Sequence, residues 1–284
     1  MRSSLIWLVA LAIPMATGAE NSGIKMTIES VVRGNSSSRT TYFAADRLRM
    51  EYRNSLGGRR RGDVNFGPRM ARIVRCDLAE AYELNLDTAE YTSTPYPPKP
   101  LTPEQIKARG LDLGTRQAAA PTIRVEIKTT DTGERKEMFG RVARHVITTN
   151  TSTPLEGSHS EPSESVTDGW YIDFEQRLAC DAKPVAGQHG YLGAYVSVGT
   201  LRQPMEKPEF VRIGEAEMGF PLQSTMSSKR PSTLADGTVS SFETRVTEFT
   251  EGALDPGLFE IPAGFKRVEH IERYPAAPGM TGKP

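Results

Sequence analysis

The chain is short of the features that usually announce a function. It holds only two cysteines, Cys76 and Cys180, and no C-x-x-C pair, so neither structural zinc nor a dithiol redox centre is indicated. Beyond the first nineteen residues no apolar run is long enough to cross a bilayer. Net charge is absent. With 35 basic residues against 35 acidic ones, no field of one sign points to nucleic acid or to an acidic substrate. Hydrophobic residues make up 37%, which suits strands with one dry face and not a parallel sheet buried on both. The four histidines, His145, His159, His189 and His270, form no metal-ligand spacing such as H-E-x-x-H. There is no G-x-S-x-G and no phosphate-binding loop, so a serine triad or a nucleotide site has no support in the sequence. Nothing calls for a metal or a cofactor.

What is present begins with a secretory leader at residues 1–19. Arg2 supplies the positive end, "LIWLVALAI" a short apolar core, Pro14 ends it, and "ATGA" offers small residues for cleavage before Glu20. The chain is therefore expected to be exported, periplasmic or secreted. No cysteine stands at the cleavage point, so a lipoprotein anchor is not indicated. An oxidising compartment makes one Cys76–Cys180 disulfide the simplest expectation, with two separate thiols as the alternative.

Period-two alternation dominates the rest. "IRVEIKT" sets Ile123, Val125 and Ile127 against Arg124, Glu126 and Lys128; "DRLRMEY" sets Leu48, Met50 and Tyr52 against Arg47, Arg49 and Glu51. "IKMTIES", "GWYIDF" (Trp170, Ile172, Phe174) and "SFETRV" repeat the habit, which is that of antiparallel strands with one dry and one wet face. "ARIVRC", "EAYELN" and "EYTST" read as a three-stranded meander with Asp-led bends at "DLAE" and "LDTA". "DTGE" (131–134) and "ADGT" (235–238) read as hairpin turns.

One helix is marked, in "LTPEQIKARG". Thr102 can cap it, Pro103 fits its first position, Gln105 completes a capping box and Gly110 suits its end. "STPLEGSHSEPSES" (152–165) reads as a polar insert, and Pro204 and Pro208 bar "RQPMEKPEF" from a central strand. The domain plan is thus a signal peptide at 1–19, a single β domain at 20–270 carrying the insert at 152–165, and a flexible tail at 271–284.

Three local signals carry weaker readings. His145 shares a strand face with Ala143 and Ile147, as a core or edge histidine would. "GGRRRGD" (57–63) reads as a solvated basic tip, with contact to anionic lipid or a partner as the alternative. Asn35 and Asn150 head glycosylation sequons.

At the carboxyl end, "GFPLQSTMSS", "VSSFETRVTEF" and "ALDPGLFEIPAGFKRV" resemble the closing pattern of exported bacterial proteins with a LolA/LolB-like fold, relatives of the outer-membrane lipoprotein carriers. "ADRLRMEY", "RIVRCDLAEAYELNLDTAEY" and "FGRVARHVITT" are similar in order and spacing, so the likeness runs intermittently from Ile24 to Val268. It implies a mainly β fold: a strongly curved antiparallel sheet, a half-barrel, whose concave apolar face is lidded by one or two short helices and holds acyl chains without a cofactor. The chain differs from the carriers in its cysteine pair, its polar insert and its lack of an anchor. No catalytic residue comes with the resemblance.

The expectation is a non-catalytic, monomeric exported protein that binds a hydrophobic or lipidic ligand, or a lipidated partner, in the concave face. Leu48, Met50, Tyr52, Ile123, Val125, Ile127, Trp170 and Ile172 are the wall candidates, each equally suited to a plain core. Two alternatives stand beside it. One is an envelope interaction module that binds protein through sheet edges or the 152–165 insert. The other is a hydrolase, which predicts His145 or His189 beside a carboxylate and a nucleophile.

Overall fold

The computed structural model describes residues 22–32, 35–56, 65–99, 102, 104–105, 120–174, 177–181, 207–217, 219–229 and 240–271. Thirteen strands build it: β1 (Ser22–Val32), β2 (Asn35–Ala44), β3 (Arg47–Leu56), β4 (Asn65–Arg75), β5 (Glu80–Asn85), β6 (Glu90–Pro95), β7 (Ile123–Met138), β8 (Arg141–Pro154), β9 (Ser163–Ile172), β10 (Pro208–Ile213), β11 (Phe220–Lys229), β12 (Ser240–Ala253) and β13 (Lys266–Arg267). All join one unclosed sheet in the order β10-β7-β8-β9-β11-β12-β1-β2-β3-β4-β5-β6-β13. Its internal pairs are antiparallel; only the two edge strands, β10 on β7 and β13 on β6, run parallel to their neighbours. The mainly β, half-barrel expectation is borne out.

Curvature follows from two crossings. Between β8 and β12 lie β9 and β11, so at about 4.8 Å per strand a flat sheet would hold them about 14 Å apart. Yet Arg141 Nε, at the start of β8, lies 2.9 Å from Glu251 Oε1 on β12. The rings of Phe139 and Phe249 are 6.3 Å apart, too close for a flat sheet. The second crossing is longer. β9 ends at Ile172, and Cys180 is bonded to Cys76 just past β4, six places along the sheet. Eight residues reach at most about 28 Å, no more than six flat strand spacings, so the described residues 173–174 and 177–181 tie the two ends of this span as a strap with no slack to spare on a flat sheet.

The expected disulfide is present, with Cα atoms 5.4 Å apart. Leu178, 4% exposed, anchors the strap by packing on Leu48, Val74 and Ala81. Its backbone is tied as well, since Ala179 N–H donates to Ala45 O at 2.8 Å. A second cluster closes the other end of the trough. There Met26, Ile28, Leu222, Val246 and Phe249 pack with Ile172 and Phe220, and Phe174 meets both Phe220 and Phe249 edge-on with centroids 5.6 Å away.

The outer side of β3–β5 departs from the expected wet face. Arg49 and Arg75 alternate outward with Ile73, but the carboxyl-terminal segment covers them. Asp255 caps a 3-10 turn at Pro256–Phe259, and Phe259, 2% exposed, packs on Ala71, Ile73 and Leu84. Arg49 Nη1 donates to Leu258 O at 3.0 Å, and Arg75 Nη1 to Glu260 Oε1 at 2.5 Å. The guanidinium stems fill the interface while their heads bond the Leu258 and Phe259 carbonyls and the Glu260 carboxylate. This half of the sheet is a two-sided core.

Local chemistry explains the turns. The meander is as expected, with bends at Cys76–Ala79 and Leu86–Ala89. Buried Asn85 sets the second bend, its Oδ1 accepting from Asp87 N–H at 3.0 Å and Thr88 N–H at 3.1 Å. "DTGE" is not the expected hairpin. It forms a bulge inside β7, with Gly133 at φ +83° and Asp131 Oδ1 accepting its N–H at 2.8 Å; the chain reverses instead at Phe139–Gly140. Positive φ serves a bulge as well as a turn, and long-range pairing with β8 decides between them. The 152–165 stretch is two strand ends, Ser152–Pro154 and Ser163–Ser165, around a connection at 155–162. β10 begins at Pro208 and sits at an edge, as that proline requires.

The expected capping box is formed: Gln105 N–H donates to Thr102 Oγ1 at 3.3 Å, and Thr102 N–H to Gln105 Oε1 at 3.0 Å. The remainder of that helix, the leader at 1–19, the turn "ADGT", "GGRRRGD", His189 and the tail from 272 lie outside the described residues.

Candidate functional site

Register assembles the concave face. In antiparallel sheets directly opposed residues share a face, so rows can be followed across strands. One row runs Thr129, Thr148, Thr167, Met226, Phe242, Val32 from β7 to β1. A second joins Ile127, Asn150, Ser165 and Ser228, and a third Val125, Ser152 and Ser163. On the far side of β1, Ile24, Met26 and Ile28 oppose Phe43, Thr41 and Arg39, which in turn oppose Leu48, Met50 and Tyr52. Six of the eight wall candidates therefore lie on one face: Leu48, Met50 and Tyr52 at one end, Ile123, Val125 and Ile127 at the other.

Their environments differ. Leu48 is 8% exposed beneath the strap and Met50 packs beside it, so this end is core. Tyr52 is half-buried, as are Ile123, Val125 and Ile127. The remaining two candidates are on β9. Ile172, 1% exposed, belongs to the core cluster at the closed end. Trp170 opposes His145 and Gln223, away from Thr167 and Gly169, and packs against the same core cluster as Ile172 two residues on.

The two faces are sorted by charge. On the convex side the same strands carry Arg124, Lys128, Asp168, Glu243 and Arg245, all exposed. On the concave side the three rows that start at Val125, Ile127 and Thr129 hold hydroxyls, one amide and aliphatic or aromatic groups, half-buried up to exposed Val32; beyond them Asp131 and Arg144 alternate onto the same side, paired with Arg135 and with Asp173 and Glu217. Sequence reading caught the apolar members through alternation. It passed over the serines and threonines, because a row of small polar residues on one strand reads as solvent-facing until the neighbouring strands repeat it.

His145 is the most connected polar side chain on the convex side. Its Nε2 lies 2.9 Å from Asp168 Oδ1, its Nδ1 3.1 Å from Thr132 Oγ1 and 3.3 Å from Glu134 Oε2, and its ring stacks on Trp170 at 4.8 Å. Lys136 Nζ also lies over the Trp170 ring, 5.7 Å from its centroid. A histidine between a carboxylate and a hydroxyl is the arrangement the hydrolase alternative asks for. Thr132 Oγ1, however, also accepts from Glu134 N–H and reaches His145 O, both at 3.2 Å, which is how a bulge is stapled to its partner strand.

A recess of about 520 Å³ lies elsewhere, at the β5–β6–β13 edge, bordered by Glu83, Thr92, Thr94, Arg267 and His270. It includes none of the wall candidates. Among the described residues no helix is long and apolar enough to cross a membrane, and no cluster of three metal-ligating side chains occurs.

No protein-family profile matches the chain. No curated protein sequence matches it either. Solved structures overlap it weakly. The structure of PNGF-II has 11% identity and a TM-score of 0.32, covering 87% of this chain and 30% of its own. The Pseudomonas aeruginosa MucA/MucB complex has 10% identity and the same TM-score, covering 87% and 58%. A DUF1329 family protein from Desulfovibrio piger has 10% identity and a TM-score of 0.16, covering 85% and 90%. The chain thus spans less than two thirds of the length of each of the first two. Overlaps of this strength transfer no activity.

Proposed function

We infer that this chain is an exported, non-catalytic binding protein of the LolA/LolB-like kind that takes a hydrophobic or lipidic ligand, or a lipidated partner, against its concave face. One observation carries the reading: the three trough-side rows that start at Val125, Ile127 and Thr129 bear no charged side chain, while the outer side of the same strands carries Arg124, Lys128, Asp168, Glu243 and Arg245. A surface kept free of ions but not packed solid is what an amphiphile needs, because burying a charge beside an acyl chain costs several kcal/mol. The disulfide and the leader-like residues 1–19 agree with export. The test is lipid extraction and mass spectrometry of protein purified without detergent, paired with displacement of a bound lipophilic fluorophore. A bound lipid, or saturable probe binding lost on Val125→Glu, supports the reading; an unoccupied trough that binds no probe overturns it.

The interaction-module reading has its own observation. β10 is an edge strand with Phe210 60% and Ile213 43% exposed, and an unpaired edge with apolar side chains is where a partner strand adds. Partner capture that survives detergent and is lost on Phe210→Lys would favour it.

A further inference from the structure

The trough is not uniformly oily, and the distribution of its polar atoms selects among ligands. Resting on the binding reading above, we propose that the lane formed by Thr148, Asn150 and Ser152 on β8 with Ser163, Ser165 and Thr167 on β9 receives the head group of a neutral amphiphile, one bearing hydroxyls or amides such as a sugar, and disfavours charged heads.

The residues oppose one another pairwise, Thr148 to Thr167, Asn150 to Ser165 and Ser152 to Ser163, so six small polar groups form a compact two-strand patch. Ile123, Val125 and Ile127 border it on β7, and Met226 and Phe242 border it on β11 and β12. A head on the lane would therefore have an apolar bed on either side for its tail. Each hydroxyl offers one donor and two acceptors, and Asn150 adds two donors and an acceptor. Such a patch matches a group that both gives and takes hydrogen bonds. A phosphate, sulfate or ammonium would lose solvation there with no opposite charge in the rows to replace it. Arg124, Lys128 and Asp168 alternate to the other side of the sheet, and the two ions on this side, Asp131 and Arg144, lie past the Thr148–Thr167 pair and are already matched, by Arg135 and by Asp173 and Glu217. Ser224 Oγ and Thr244 Oγ1 engage each other at 2.7 Å, and Ser228, opposite Ser165, adds one hydroxyl at the β11 border of the lane.

Decyl maltoside, decyl phosphate and decyltrimethylammonium share one tail and differ in head, so calorimetric titration of the oxidised full chain below their micelle concentrations isolates the head group. The maltoside is expected to bind about tenfold tighter than either ion. Thr148→Val with Thr167→Val, which keeps shape and strand preference, is expected to bring the three within about threefold while the ions bind as before. Circular dichroism confirms folding of the variant, and the unsubstituted protein tests the ranking without it. If the ions bind as tightly as the maltoside, the lane has no such preference and the proposal is overturned while the trough remains a binding site. If no decyl compound binds, both the lane and the binding reading fall.

Discussion

Removing the Cys76–Cys180 crosslink is the perturbation with the largest worked consequence. The bond joins positions 104 apart, and the loop it closes contains β5 through β9. Loop-closure entropy for a ring of that length amounts to about 4.7 kcal/mol at 25 °C, taken from the unfolded state. The folded state keeps independent holds on the strap. Leu178 is buried among Leu48, Val74 and Ala81, Ala179 N–H bonds Ala45 O, and Tyr96 Oη lies 2.5 Å from Asp181 Oδ1. The Cys76→Ser, Cys180→Ser double variant should therefore retain its far-ultraviolet spectrum but unfold in urea about 4–5 kcal/mol earlier in free energy, with a steeper denaturant slope because its unfolded chain exposes more surface. Leu178→Ala in the crosslinked protein is the control. It should cost about 2–4 kcal/mol with the slope unchanged, since it acts on the folded core. A loss below about 1 kcal/mol with an unchanged slope in the double variant would refute the reasoning, for the unfolded state would then not be what the bond constrains.

Arg75, whose side chain is 9% exposed, holds Asp77 and Glu260 together, so Arg75→Ala should cost about 2–4 kcal/mol and speed hydrogen exchange in 255–265, whereas Glu260→Gln, at 58% exposure, should cost under about 1 kcal/mol. The hydrogen bond from Arg75 holds the Asp77 carboxyl below the usual carboxylate range. That contribution is full above the unfolded value of about 4 and is lost as pH falls through the depressed folded value, so urea midpoints of Asp77→Asn should converge on those of the unsubstituted protein as pH falls below about 4. Ala79 and Ala89 stand at φ 51° and 54°, where a β-carbon is crowded, so Ala79→Gly and Ala89→Gly should each leave stability level or raise it by about 0.5–1 kcal/mol, and Ala89→Val should lower it, read as shifts in melting temperature. Gly214, at φ +83° with Thr129 O where its β-carbon would sit, should not tolerate alanine; Gly214→Ala is expected to free β10 from β7, seen as faster exchange in 208–213 with the rest of the sheet protected.

Much of the local plan is written in short range. Alternation in "IRVEIKT" and "DRLRMEY" settles which residues share a side, because the strand period is two whatever the neighbours are. Thr102 and Gln105 meet as a capping box since three residues of spacing suffice, and the bend at "LDTA" needs only the side chain of Asn85 just before it. The cysteine pair could be matched because there were two.

Tertiary structure decided the rest, wherever a residue's surroundings come from far along the chain. Whether "DTGE" turns or bulges depends on β8, and whether Arg49 and Arg75 face water depends on residues 255–260 folding back over them. The uncharged lane exists only because pairing places threonines and serines of separate strands in one row, and pairing register is a property of the whole sheet that no single strand encodes.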